Sequence, residues 1–321
     1  MIGNFAVVCL FAALAECGSA VVPMDPLDPS QIVRQPDGSF RYRRPPWCAP
    51  CAPCDCACAD RVGDSPRTEH VILGLPVRIT SPYGPEARVT MSSFRLGRYE
   101  LTNRCAALCR LAGGCSSLPA GLSEEDQADL DPRTKPDHPA GSLTRENALR
   151  ACRFLGGDLP TSAQWEFAAR GTDGRLFPWG NEVECGRGNY TSIIGAGDSR
   201  QLICSSMTQR LPSARVGSFA SGAGPYGSLD LAGGVREWVS DYGVGSAWFT
   251  SLAALNARGQ EALDPTVPAP TEDTGAWSEF GVSRGPFLLI NPVYLHGPPN
   301  TDLDGYVYSG ARCRWPLAPA P

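Results

Sequence analysis

Histidine is almost missing from this chain. Its 321 residues hold three, His70, His138 and His296, and three imidazoles so widely spaced do not make an iron centre. Basic charge is also short: 28 Lys and Arg stand against 33 Asp and Glu, for a net charge of -5. The electrostatic footprint of a nucleic-acid partner is therefore absent. No internal repeat stands out. After an apolar run from Phe5 to Ala15, no stretch is long enough to cross a bilayer, and that run is itself too short.

What is present suits a folded, loop-rich protein. With 42% hydrophobic and 19% charged residues, the chain can form one or two globular domains around a real core. The 35 Gly and 30 Pro point to short elements joined by many turns. Residues 1–20, MIGNFAVVCLFAALAECGSA, end in small residues as an export signal does, although the usual positive start is lacking. Cleavage near Ala20 is the expectation. The alternatives are lipidation at Cys17 in a lipobox-like "LAEC", against which Glu16 counts, and a retained hydrophobic segment. The chain is thus expected to be exported, to a periplasmic, cell-envelope or extracellular location, touching a membrane only through a lipid anchor or an uncleaved signal. Setting aside Cys9 and Cys17 leaves twelve of the 14 cysteines, which in an exported chain default to disulfides.

Residues 21–68, rich in Pro, Asp and Arg, read as a linker, and residues 69–318 as the domain. Inside the linker lie Cys48, Cys51, Cys54, Cys56 and Cys58. Such spacing could hold a soft metal through thiolates; export favours a local disulfide knot instead. Five is odd, so at least one cysteine pairs elsewhere or stays free. "VRITSPY" and "RVTMSSFRLGRYELTN" alternate as half-buried strands do. "NRCAALCRLAG" reads as a helix with Cys105 and Cys109 on one face, and the nearby Cys115 suggests a local staple. Residues 117–141 read as an acidic loop. Thr144 caps a helix in "TRENALRACRFLGG" that Gly156-Gly157 ends. In "LPTSAQWEFAARG", Thr161 and Gln164 form a capping box, and Trp165 with Ala168 and Ala169 makes an inward stripe.

"RYELTN", "DHPAGSLTRENALRACRFLGGDLPTSAQWEFAARG", "FPWGN", "VGSF", "YGSLDLAGGVREWVSDY", "SRGPF" and "GARC" occur in this order. Together they resemble the formylglycine-generating enzyme (sulfatase-modifying factor) family over roughly residues 85 to 317. The resemblance implies an α+β fold related to C-type lectins, with little regular secondary structure, held by calcium and disulfides. It also implies an oxidase that converts the cysteine of a Cys-x-Pro-x-Arg peptide to formylglycine with two copper-binding cysteines. Here those positions are Ile290 and Leu295, whose aliphatic side chains can neither ligate copper nor carry a thiolate. No cysteine lies between Cys204 and Cys313. Copper is therefore not expected, and no catalytic residue is assigned. His138, in the "HP" turn, is expected to be structural, and His296 has no visible partner. Asp158 replaces the basic residue that usually precedes "LPT", which puts a charge pair there in doubt.

Calcium is the cofactor that the resemblance carries over. In "DLAGGVREW" the matching ligands are Asp230, the Gly233 and Val235 carbonyls, and Glu237, a hard-oxygen set suited to calcium. A second calcium loop would use Asn189, Tyr190 and Asp198; Asn189 also opens an Asn-Tyr-Thr sequon. The resemblance further pairs Cys152 with Cys313, while Cys185 and Cys204 bracket the second loop and could pin it. Residues 243–300, with Trp248, Trp277, Phe280, Phe287 and Tyr294, would be the variable surface. The expected function is an exported, non-catalytic, calcium-stabilised module that binds a protein or glycan partner. An enzyme of the family and a structural envelope component are the alternatives.

Overall fold

The computed structural model describes residues 27–74, 84–175, 177–182, 184–189, 192–194, 201–204, 213–242, 246–266, 281–284 and 309–317. In chain order the strands and helices begin with β1 (Ile32–Arg34), β2 (Phe40–Tyr42), β3 (Ala59–Gly74), β4 (Gly84–Gly97), α1 (Asn103–Leu111) and α2 (Glu124–Asp129). There follow α3 (Arg145–Phe154), α4 (Ser162–Arg170), β5 (Ser192–Ile194), β6 (Gln201–Cys204) and β7 (Arg236–Tyr242). The last are α5 (Ser246–Ala257), β8 (Ala262–Leu263), β9 (Gly281–Arg284), β10 (Ser309–Ala311) and β11 (Arg314–Pro316). This is an α+β architecture of short elements, as expected.

The main sheet runs in the order β11-β4-β3, with β8 pairing parallel to β4 beyond β11. A second sheet, β10-β7-β9, places β10 parallel and β9 antiparallel to β7. Two hairpins, β1-β2 and β5-β6, complete the pairing. The helices start where their polar caps dictate. Thr144 accepts the Asn147 amide at 3.2 Å to open α3. At α4, Thr161 Oγ1 accepts the Gln164 amide at 3.1 Å and Gln164 Oε1 accepts the Thr161 amide at 2.9 Å. Each cap satisfies donors that a helix end leaves orphaned. Trp165, Ala168 and Ala169 all point inward.

Two apolar clusters result. The first packs Val62, Met91, Phe94 and Leu96 of the main sheet against Trp165 and Phe167 of α4, with Leu252 of α5. The second gathers α1 and α3 around Leu108, Leu143, Phe154 and Leu159, with Cys105, Cys109, Cys152 and Cys313 among its buried residues. Leu231, inside the predicted calcium loop, and Val239, two residues beyond it, belong to the first cluster.

Three expectations change. Residues 27–68 do not form a detached linker. Ile32 and Tyr42 pack on the second cluster, Arg104 lies over the Trp47 ring at 5.4 Å, and β3 already begins at Ala59. Disulfides Cys48–Cys54 and Cys51–Cys58 make the expected local knot, and Cys56 finds its partner in Cys105 on α1. The stretch looked linker-like because covalent bridges do there what a periodic apolar face does elsewhere. The acidic loop 117–141 carries one short helix, α2, capped by Ser123. The region 243–300 contains α5, whose residues SAWFTSLAALNA are apolar on most sides and give no helical stripe to read. Trp277, Phe280, Phe287 and Tyr294 lie outside the described residues.

Candidate functional site

The segment Asp230–Glu237 turns sharply before it becomes β7. Asp230 (φ 58°), Gly233 (φ 112°) and Gly234 (φ 72°) all sit at positive φ, a region that costs residues with a β-carbon. Both glycines are also required by close approach. A β-carbon at Gly233 would lie 2.7 Å from the Asn189 backbone nitrogen, and one at Gly234 would collide with the Glu100 carboxylate. The turn is pinned by three amides. Gly217 N donates to Asp230 Oδ2 at 2.6 Å, Gly234 N to the Asn189 carbonyl at 3.1 Å, and Val235 N to Glu100 Oε1 at 2.7 Å.

Glu237 points inward from β7 and is 1% exposed. Arg312 Nη2 and Nε donate to its Oε1 at 2.8 and 3.0 Å, and Trp165 Nε1 donates to its Oε2 at 2.5 Å. Arg312 is itself fully buried. Its remaining donors reach the carbonyls of Gly97, Arg98 and Leu229 at 2.9, 2.9 and 2.7 Å. Every N–H of this guanidinium is thereby used, the condition under which a buried charge is tolerable.

Three carboxylates, Glu100, Asp230 and Glu237, thus share one guanidinium. Burial holds the Glu100 carboxyl well above the usual carboxylate range; the charges of Asp230 and Glu237 push it further, and Arg312 opposes them. Asp230 is raised too, mainly by burial, against the Gly217 amide and Arg312. Glu237 is neutralised by Arg312, which leaves Glu100 and Asp230 as carboxylates with no cation of their own. Burial opposes the ionisation of both, and a hard divalent cation such as calcium would relieve that cost. The fit is one of charge and donor chemistry: among the described residues no three His, Cys, Asp or Glu side chains converge as a metal cluster. An ion here would be held by Asp230 and Glu100 with the Gly233 and Val235 carbonyls, and it would supply compensating charge, while Glu237 stays committed to Arg312.

The other predicted residues fall as follows. The Asn189 carbonyl touches Gly234, so the start of the second predicted loop abuts the first. Tyr190, Asp198, Ile290, Leu295 and His296 lie outside the described residues. Cys152 and Cys313 form a disulfide, as the family resemblance implied, and Cys109–Cys115 is the local staple. Cys185 is disulfide-bonded; the Cys204 side chain lies outside what is described. His138 Nδ1 hydrogen-bonds Ser213 Oγ at 2.9 Å, and burial, then Lys135, lower its pKa. Asp158 forms no ion pair among the described residues; its carboxylate accepts the Leu159 amide at 2.9 Å, and its backbone bridges Arg314 in both directions. Sequence reasoning missed Glu100 and Arg312. Both lie in quoted motifs, "RYELTN" and "GARC"; Arg312 stands out as the one charged residue of its motif, whereas nothing local marks Glu100 among Arg98, Thr102 and Asn103.

No helix among the described residues is long and apolar enough to cross a membrane, and the several disulfides fit an oxidising environment. A family model described as "Sulfatase-modifying factor enzyme 1-like domain" matches residues 28–274. The chain is 34% identical over 186 residues to the formylglycine-generating enzyme of Thermomonospora curvata, covering 56% of each chain. To "Inactive C-alpha-formylglycine-generating enzyme 2" of Bos taurus it is 32% identical over 169 residues, covering 48% of this chain and 54% of the relative. To the formylglycine-generating enzyme of Bos taurus it is 30% identical, spanning 34% of that protein. The chain therefore spans between about a third and just over half of these relatives. Among solved structures it is similar to PvdO from Pseudomonas aeruginosa, with a TM-score of 0.50 and 18% identity over 78% of this chain and 92% of the other. With the family model covering most of its length and the fold agreeing, the chain belongs to the formylglycine-generating-enzyme (sulfatase-modifying factor) family.

Proposed function

We propose that this chain is an exported, non-catalytic member of its family, stabilised by calcium and built to bind a partner. The observation that carries the reading is the cysteine inventory. Of 14 cysteines, eleven are disulfide-bonded among the described residues, and Cys185 takes its partner from outside them; the side chains of Cys9, Cys17 and Cys204 lie outside what is described. The family oxidation needs a pair of thiolates to hold Cu(I), and Ile290 and Leu295 occupy the matching positions. The relatives include proteins named as enzymes and two named inactive, so membership alone does not decide activity.

The deciding experiment incubates the full chain with a Cys-x-Pro-x-Arg peptide, copper and oxygen, and weighs the peptide. No conversion to formylglycine is expected. Turnover above a metal-only control, abolished by replacing a cysteine of the domain, would establish the enzyme reading instead. Calcium is tested separately through melting temperature. A cross-linked envelope component would run as a covalent multimer on non-reducing gels, whereas a partner-binding monomer runs at its own mass.

A further inference from the structure

On the main sheet, Arg61 of β3 stands directly opposite Arg95 of β4, and Arg95 stands directly opposite Trp315 of β11. Both arginines are exposed, while their strand neighbours Val62, Phe94 and Leu96 are buried. This face is open to solvent at the two arginines, while Trp315 at its β11 end is half-buried, packs on the second cluster and donates Nε1 to the Leu155 carbonyl at 3.2 Å. Like charges placed directly across a strand pair destabilise a sheet. Neither guanidinium has a carboxylate: Arg61 Nε donates to the Gly63 carbonyl and Arg95 Nη2 to the Ala59 carbonyl, each at 3.1 Å, with no ion pair among the described residues. By contrast, the half-buried Arg98 nearby does find an acid, Asp60, at 2.5 Å.

Two residues on from Arg95, and so on the same face, Gly97 forms part of a crevice of about 20 Å³ walled by Trp315, Leu155 and Pro53. Asp55 and Glu100 also line it, so an acid would stay out on the arginines, while a small uncharged side chain could enter.

We propose that the Arg61–Arg95–Trp315 row is a docking site for an acidic peptide segment of a partner protein, with acidic residues alternating with small apolar ones. A free oxyanion is not the occupant, because exposed single ion pairs contribute little. A segment that engages both guanidiniums and the crevice at once adds these small contributions together. The inference deepens the partner-binding reading by naming the partner's chemistry. It is independent of the oxidation assay, so either can fail alone.

The probe is a labelled Glu-Ala repeat octapeptide at low salt, titrated with the full chain and followed by fluorescence anisotropy. Binding should weaken about tenfold in the double variant Arg61→Gln/Arg95→Gln and with added salt, and a Gln-Ala repeat should not bind. The double variant should melt no lower than the parent, since it removes a like-charge pair. No binding of the Glu-Ala peptide, equal binding by the double variant, or equal binding of the Gln-Ala repeat would overturn the proposal. Tighter binding of an oligothymidine would overturn it in favour of a nucleic acid.

Discussion

The two apolar clusters of this domain are held in different ways. The cluster under the main sheet contains no cysteine among its described residues and relies on large side chains: Met91, Phe94, Trp165 and Phe167, with Tyr226 packed edge-on to Phe167 at 5.3 Å. The cluster around α1 and α3 has Phe154 as its one fully buried aromatic ring, and four of its buried residues are half-cystines. Disulfides Cys56–Cys105, Cys109–Cys115 and Cys152–Cys313 all end in it. Where apolar volume is modest, covalent bridges make up the difference by limiting the unfolded chain. The clusters meet at Arg312, which sits beside Cys313 and reaches Glu237, itself bonded to Trp165.

That junction should show the largest effect. Arg312→Leu strands Glu237 without its cation, and breaking such a buried pair costs about 3–5 kcal/mol, read as a fall in denaturation midpoint. Arg312→Leu combined with Glu237→Leu should recover part of the loss. If the single variant is neutral, the pair does not join the clusters.

Removing the Cys152–Cys313 bridge by a double Cys→Ser change should cost about 2–5 kcal/mol. The sharper form of this test is hydrogen exchange under mild reduction. Amides of α1 and α3 should lose protection before those of α4 and β4. Simultaneous loss would mean the two clusters are one cooperative unit, and the contrast between them would fall.

Calcium should matter at the junction's acidic side. Chelation is expected to lower the melting temperature, by an amount that depends on free calcium through linkage. Asp230→Asn should shrink that shift more than Glu184→Gln, a surface control. Glu237→Gln is a poor probe, because it also disturbs the Arg312 pair. A melting curve indifferent to chelator and to added calcium would remove the ion from the account.

The smallest effect belongs to His138. Its pKa is lowered on folding from 6.5, so the unfolded chain binds the proton more readily. Stability from this group is complete above pH 6.5 and is lost as pH falls through 6.5 towards the lower folded value. Melting points of the parent and His138→Asn, compared between about pH 5 and pH 8, should diverge only at the acidic end.

Much of the fold could be read in the sequence where the signals are local. Thr144, Thr161 and Gln164 cap the helices they were expected to cap, and the Trp165 stripe is buried. What could not be read is non-local. The Cys56–Cys105 bridge crosses 49 residues, and Arg312 meets a carboxylate 75 residues away; no short window contains either partnership. The predicted calcium loop illustrates the same limit. Motif register placed Asp230 and Glu237 on one turn, but only the packing shows that Glu237 is committed to an arginine and that Glu100 brings the third carboxylate.

The Cys152–Cys313 bond, with its separation of 161 residues, turns about half of the polypeptide into a closed ring. A protease that nicks the ring once cannot release a fragment. The cut protein keeps its mass on a non-reducing gel, and β10 and β11 remain covalently attached to α3. Damage inside the span of the predicted variable region would therefore be survivable, and a new sequence could be inserted there without the two ends of the domain being able to separate.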